Sequence, residues 1–125
     1  MEPGAQEAAA RIEDMIVASA LLWRESCEAT AAFEDARFAL MRDEARVMHD
    51  FATKINQDDF VKAHVYTAWW DSPEYLDHQA RVRAATVRTN EASEALAVAR
   101  QRLLLAQNVF AATYVGTSRL DGGQV

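Results

Sequence analysis

Between Gly4 and Pro73 the 125-residue chain has neither glycine nor proline, and between Pro73 and Gly116 it has neither again. The residues that end or kink helices are missing over two long stretches, which permits very long helices. Cysteine is scarce too. Cys27 stands alone, which excludes an intrachain disulfide and any multi-cysteine zinc site; its helical position makes it a small core residue by expectation. No apolar run approaches the roughly 18 residues of a membrane span, so no membrane partner is expected. The opening MEPGAQEAAARIED lacks the basic start and apolar stretch of a secretory signal. That favours a cytoplasmic location, although export without a signal, or a place in a virion, would leave no such trace.

What is present is helical pattern. Steps of seven from Tyr75 give Val82, Thr89, Leu96, Leu103 and Phe110; from His78 they give Ala85, Ala92, Ala99, Ala106 and Thr113. These two rows make a sustained heptad seam, one row mostly large and the other mostly alanine, along which a second helix can approach closely. Ser72 and Pro73 suit the N-cap and first position of this helix, and Gly116 its end. In the first half Ile12, Ile16, Trp23, Thr30, Phe33, Leu40, Val47 and Phe51 follow at steps of three, four or seven. Met15, Leu22, Ala29 and Ala36 widen that stripe on one side. The pattern predicts an all-α fold: a long antiparallel, coiled-coil-like helical hairpin, with helices at about 6–53 and 73–114, forming one domain over 1–115. The glycine-rich residues 116–125 read as a flexible tail.

Between the rods a short third helix is predicted at about 57–70, capped by Asn56, with Phe60, Val61, Val65, Ala68 and Trp69 on one face to plug the end of the hairpin. Adjacent residues cannot face the same way on a helix, so Trp69 is assigned to the plug. Trp70 points away, with Tyr66 beside it at i−4. An exposed Tyr66/Trp70 pair would suit protein binding, where aromatics dominate hot spots.

The candidates for chemistry are few. His49, His64 and His78 fall at the turn end with carboxylates such as Glu44, Asp50, Glu74 and Asp77 nearby, which makes them metal-ligand candidates. The spacings argue against a metal. Glu44 to His49 and Glu74 to His78 are five and four residues, not the Glu-x-x-His of carboxylate-bridged bundles, and His-Glu-x-x-His is absent. Neither a glycine-rich phosphate loop nor a nucleophile paired in sequence with a base is present. No cofactor and no catalytic residue are assigned. A small helical metal-binding protein or enzyme using the histidine end is the alternative reading.

Charge divides the chain. Residues 1–50 hold eleven acids against five arginines, whereas residues 81–125 hold six arginines against three acids. Arg81, Arg83, Arg88, Arg100 and Arg102 are expected to face the acidic first helix, not nucleic acid, because no aromatic platform is interleaved with them.

A second stripe on the C-terminal helix carries the functional expectation. Ala95, Val98, Leu105, Val109 and Ala112 lie off the main seam, so this helix is apolar on two sides. One side has the first helix; the other needs a partner unless the first helix folds back over it. The leading expectation is a non-enzymatic structural or adaptor protein that binds a protein partner or its own copies, as in phage or secretion assemblies, with Val98, Leu105, Val109, Ala112, Tyr66 and Trp70 as interface residues. In outline such a hairpin, turned near a tryptophan, resembles the small substrates of type VII secretion. Their Trp-x-Gly turn is replaced by Trp70-Asp71-Ser72-Pro73, and no Tyr-x-x-x-Asp/Glu motif follows near the C-terminus. That function is therefore not carried over.

Overall fold

The first helix, α1, runs unbroken from Pro3–Lys54, begun by a proline at a position where its missing N–H costs nothing. The computed structural model describes residues 3–54 and 59–115, with side chains over 3–51 and 62–115. The chain continues through α2, Asp59–Trp70, and α3, Pro73–Phe110, into a π-helical turn, Ala111–Val115. No strand occurs among the described residues, and α1 packs along α3 as a long pair, so the fold is an all-α helical hairpin. No helix is long and apolar enough to cross a membrane among the described residues. Asn56 and the start of the predicted third helix, the side chains of Phe60 and Val61, and the tail 116–125 lie outside them.

Packing divides the chain into two units: Glu28–Asn90, and Met1–Cys27 with Glu91–Val125. In the 28–90 unit the turn is built as expected. Ser72 Oγ accepts the Tyr75 N–H at 3.2 Å and donates to the Trp69 carbonyl at 2.6 Å, capping α3 and closing α2 with one side chain. Ala29 is fully buried, and its carbonyl accepts the Thr89 hydroxyl at 3.2 Å; that hydroxyl also reaches the Ala85 carbonyl at 2.8 Å. Such a contact between helices is possible only where small residues let the backbones close. Ala68, expected on the plug face, is exposed, and Trp69 and Val65 carry that face.

The unit of residues 3–27 and 91–115 is thinner. Its buried apolar residues are Ala5, Ala92 and Leu96, with Ala8, Ile12, Met15, Leu22, Leu103, Ala106 and Phe110 half-buried. The α3 seam follows the predicted heptads as far as Phe110. At the next step Tyr114 is half-buried and Thr113 is exposed, because the wider π-turn inserts one extra residue into the repeat. The α1 stripe is corrected. Burial follows 5, 8, 12, 15, 19, 22, 26 and 29, whereas Ile16, Trp23 and Thr30, one residue out of phase, are exposed. Cys27 falls off this seam and is exposed, contrary to the expectation of a core thiol.

Ser19 sits on the seam with a buried hydroxyl that has no hydrogen-bond partner. An unpaired buried hydroxyl costs free energy, and serine is a poorer helix former than alanine. Ser19→Ala should therefore stabilise the protein by about 0.5–1 kcal/mol, read as a raised urea midpoint. An unchanged or lowered midpoint would mean that the hydroxyl is satisfied in solution.

Candidate functional site

The densest polar chemistry lies in the 28–90 unit, where the histidine end was expected to matter. His78 is buried on α3, and its Nε2 lies 2.7 Å from Asp43 Oδ2 on α1. Arg46 Nη2 and Arg42 Nε stand 3.3 and 3.5 Å from the other Asp43 oxygen. One residue along, Glu44 Oε2 accepts the Trp69 indole N–H at 2.9 Å. The Trp69 ring meets Tyr75 edge-on at 5.8 Å and lies 6.4 Å from the His78 ring. Three helices thus lock through two carboxylates that are consecutive in sequence. A buried indole and a buried imidazole each find the acceptor that burial demands.

Asp43 is held below the usual carboxylate range, first by the hydrogen bond from His78 and then by the charges of Arg46 and Arg42, with burial opposing them. A carboxylate whose folded-state pKa is depressed stabilises above its unfolded pKa and loses that contribution as pH falls through the folded value. Acidification below roughly pH 4 should therefore weaken the fold. Asp43→Asn should flatten this acid limb in urea unfolding compared across acidic pH, and equal acid slopes in the two proteins would acquit the pair.

The three candidate ligands are not brought to one point. His78 is engaged by Asp43, His49 and His64 are exposed, and no group of three potential ligands converges among the described residues. Ser72 uses its hydroxyl in the cap. Asp43 was missed in the sequence. The signal was there, since it sits at a seam position of α1 that should have been leucine or alanine, and α3 offers a histidine on its own seam.

Trp69 and Trp70 divide as predicted. Trp69 is 4% exposed and Trp70 50% exposed, with the Tyr66 ring 5.7 Å from Trp70. The arginines only partly follow expectation. Arg81 pairs with Asp77 on its own helix at 3.0 Å, and Arg100 lies over the Trp23 ring at 5.2 Å, where a cation–π contact replaces a carboxylate.

The expected second stripe of α3 is open. Ala95, Val98, Leu105, Val109 and Ala112 are all exposed, Leu105 to 65%. In the 3–27/91–115 unit it borders a groove of about 560 Å³ floored by Ala8, Ile12, Met15, Ala106 and Phe110, with Arg11 and Arg102 at its edge and Tyr114 at its end. Arg102 also borders a second hollow with Leu22, Glu91, Glu94, Ala95, Val98 and Ala99, so the apolar face continues along α3. The Phe110 and Tyr114 rings pack at 5.1 Å, and the π-turn is what swings Tyr114 to the groove.

Compared with known protein families, with curated proteins and with solved structures, the chain matches none.

Proposed function

We propose that the protein works without catalysis, as a structural or adaptor element whose exposed helical faces bind a protein partner or further copies of itself. The carrying observation is how little the described residues bury. Their buried apolar side chains are Ala5, Ala29, Trp69, Ala92 and Leu96, while fourteen large apolar side chains are exposed. Covering Val98, Leu105 and Val109 would contribute roughly 1.5–3 kcal/mol apiece before the costs of association.

The exposed Trp70, with the half-buried Tyr66 beside it, is a second contact point of the kind that anchors interfaces. Acidic net charge, with Arg81 engaged by Asp77 and Arg100 by Trp23, supports a protein partner over nucleic acid.

The test uses Leu105→Glu/Val109→Glu. Wild type should either scatter light as an assembly or, as a free chain, take up an apolar dye such as anilinonaphthalene sulfonate. The double variant should keep its helical circular dichroism and lose whichever behaviour wild type shows. A wild-type monomer that takes up no more dye than the variant would end the proposal.

A further inference from the structure

We infer that the groove of the 3–27/91–115 unit is a binding site for a single-chain amphipathic anion, an alkyl carboxylate whose head meets Arg11 and Arg102 and whose tail runs toward Tyr114. Such a site stands apart from the association reading and holds for a free or an assembled chain. Its chemistry starts with two cations. Arg11 on α1 and Arg102 on α3 line opposite walls of the groove, and neither makes an ion pair, hydrogen bond or ring contact among the described residues. Glu7 and Asp14 flank Arg11 on its own helix at pairing distance in sequence, yet they neither pair with it nor line the groove. Apart from Thr113 and the Tyr114 hydroxyl, the rest of the lining is apolar. An inorganic anion would leave that floor in water, and an uncharged hydrocarbon would strip water from the guanidinium groups without replacing it. A carboxylate on an alkyl chain satisfies both, with charge-assisted hydrogen bonds at the head and apolar contact along the tail.

Acids set the direction. Beyond Arg102, away from Tyr114, Glu94 and Glu91 line the neighbouring hollow, so a tail laid that way would cover carboxylates. From Ala95 to Val115 α3 has no acid at all. The tail therefore runs over Ile12, Val109 and Phe110. Along α3 the wall from Arg102 to Thr113 is about 16 Å long at about 1.5 Å per residue, room for a decyl chain with its head. The π-turn finishes the site. It brings Tyr114 across to α1, where the hydroxyl stands 3.4 Å from the place of a Cβ on Gly4, and packs its ring on Phe110 at 5.1 Å. That end is thereby closed to a helix running along the pair, while the groove keeps about 560 Å³, within the range of roughly 300–1,000 Å³ for small-molecule sites.

The test is calorimetric titration of the full chain at neutral pH with decanoate, decanol and decyltrimethylammonium, which share a tail and differ in charge. Wild type should bind decanoate saturably, decanol more weakly and the cation least. Arg11→Gln/Arg102→Gln, at two exposed positions, should weaken decanoate roughly tenfold, as the loss of charge-assisted hydrogen bonds implies. Decanol binding and helical circular dichroism should not change in that variant. A double variant that binds decanoate as wild type does overturns the site, as does a wild type that takes up decanol equally or prefers the cation. Adsorption to phosphatidylglycerol vesicles without saturable binding of decanoate overturns it too, and makes the arginines a membrane-surface contact. Light scattering on the same samples keeps association separate. Decanoate bound by a monomer supports the site whatever becomes of association, and an assembly that takes up no decanoate overturns the site and leaves association standing.

Discussion

Trp69→Ala should cost about 3–5 kcal/mol, the range for truncating a buried aromatic, and should unfold the 28–90 unit first. The indole is the largest buried side chain there, it touches Tyr75 and lies near His78, and its N–H satisfies Glu44. Removing it opens a cavity where all three helices meet and strips a half-buried carboxylate of its donor. Trp69→Phe separates these effects. It keeps most of the ring and loses the N–H, so a loss nearer 1 kcal/mol is expected. Trp70→Ala, one residue away and half exposed, should change stability by no more than about 0.5 kcal/mol. Urea unfolding with hydrogen exchange reads all three. Equal losses from Trp69→Ala and Trp70→Ala would refute the assignment of Trp69 to the core.

Ala29→Leu should cost about 1–3 kcal/mol by overpacking. Ala29 is 0% exposed, and its backbone is near enough to α3 for the Thr89 hydroxyl to reach its carbonyl. A leucine there must push the helices apart, and that bond goes with the separation. Ala31→Leu, on the exposed side of the same helix, adds the same atoms with nothing to displace and should be nearly neutral. Thermal melts that do not distinguish the two substitutions would show that the helices are not in close contact at residue 29.

The sequence made some of this architecture readable and hid the rest for physical reasons. The α3 seam was legible because its alanine row repeats every seven residues from Ala85 to Ala106 without a competing pattern. Ser72-Pro73 was legible because a cap and a first-turn proline each have one good place. The phase of α1 was only partly so. Ile16, Trp23 and Thr30 keep the same seven-residue step one position away from the true seam and are exposed, whereas Met15, Leu22, Ala29 and Ala36, read as the flank of the stripe, carry it. A close helix contact selects small residues, so size misleads where packing is tightest. The π-turn left no sign, since neither glycine nor proline marks it. His78 and Asp43 are 35 residues apart, and only their matching seam positions connected them. The exposed stripe ending at Ala112 was readable from periodicity alone, because a straight first helix covers only one side of α3.

The Asp43–His78 contact also bears on how the hairpin finds its register as it folds. A row of alanines at seven-residue intervals is nearly degenerate, since sliding by one heptad exchanges Ala85 for Ala92 at little cost. The polar pair breaks that degeneracy. A one-heptad slip one way leaves His78 against Ala36, buried without a partner, at a cost that apolar contacts do not repay. The opposite slip offers His78 a new carboxylate at Asp50 but leaves Asp43 against Ala85 and carries α3 away from the level at which Trp69 meets Glu44. Both specifying contacts sit beside the turn, where chain closure is cheapest. The 28–90 unit can thus set its alignment locally, before the uninformative alanines farther along are asked to choose.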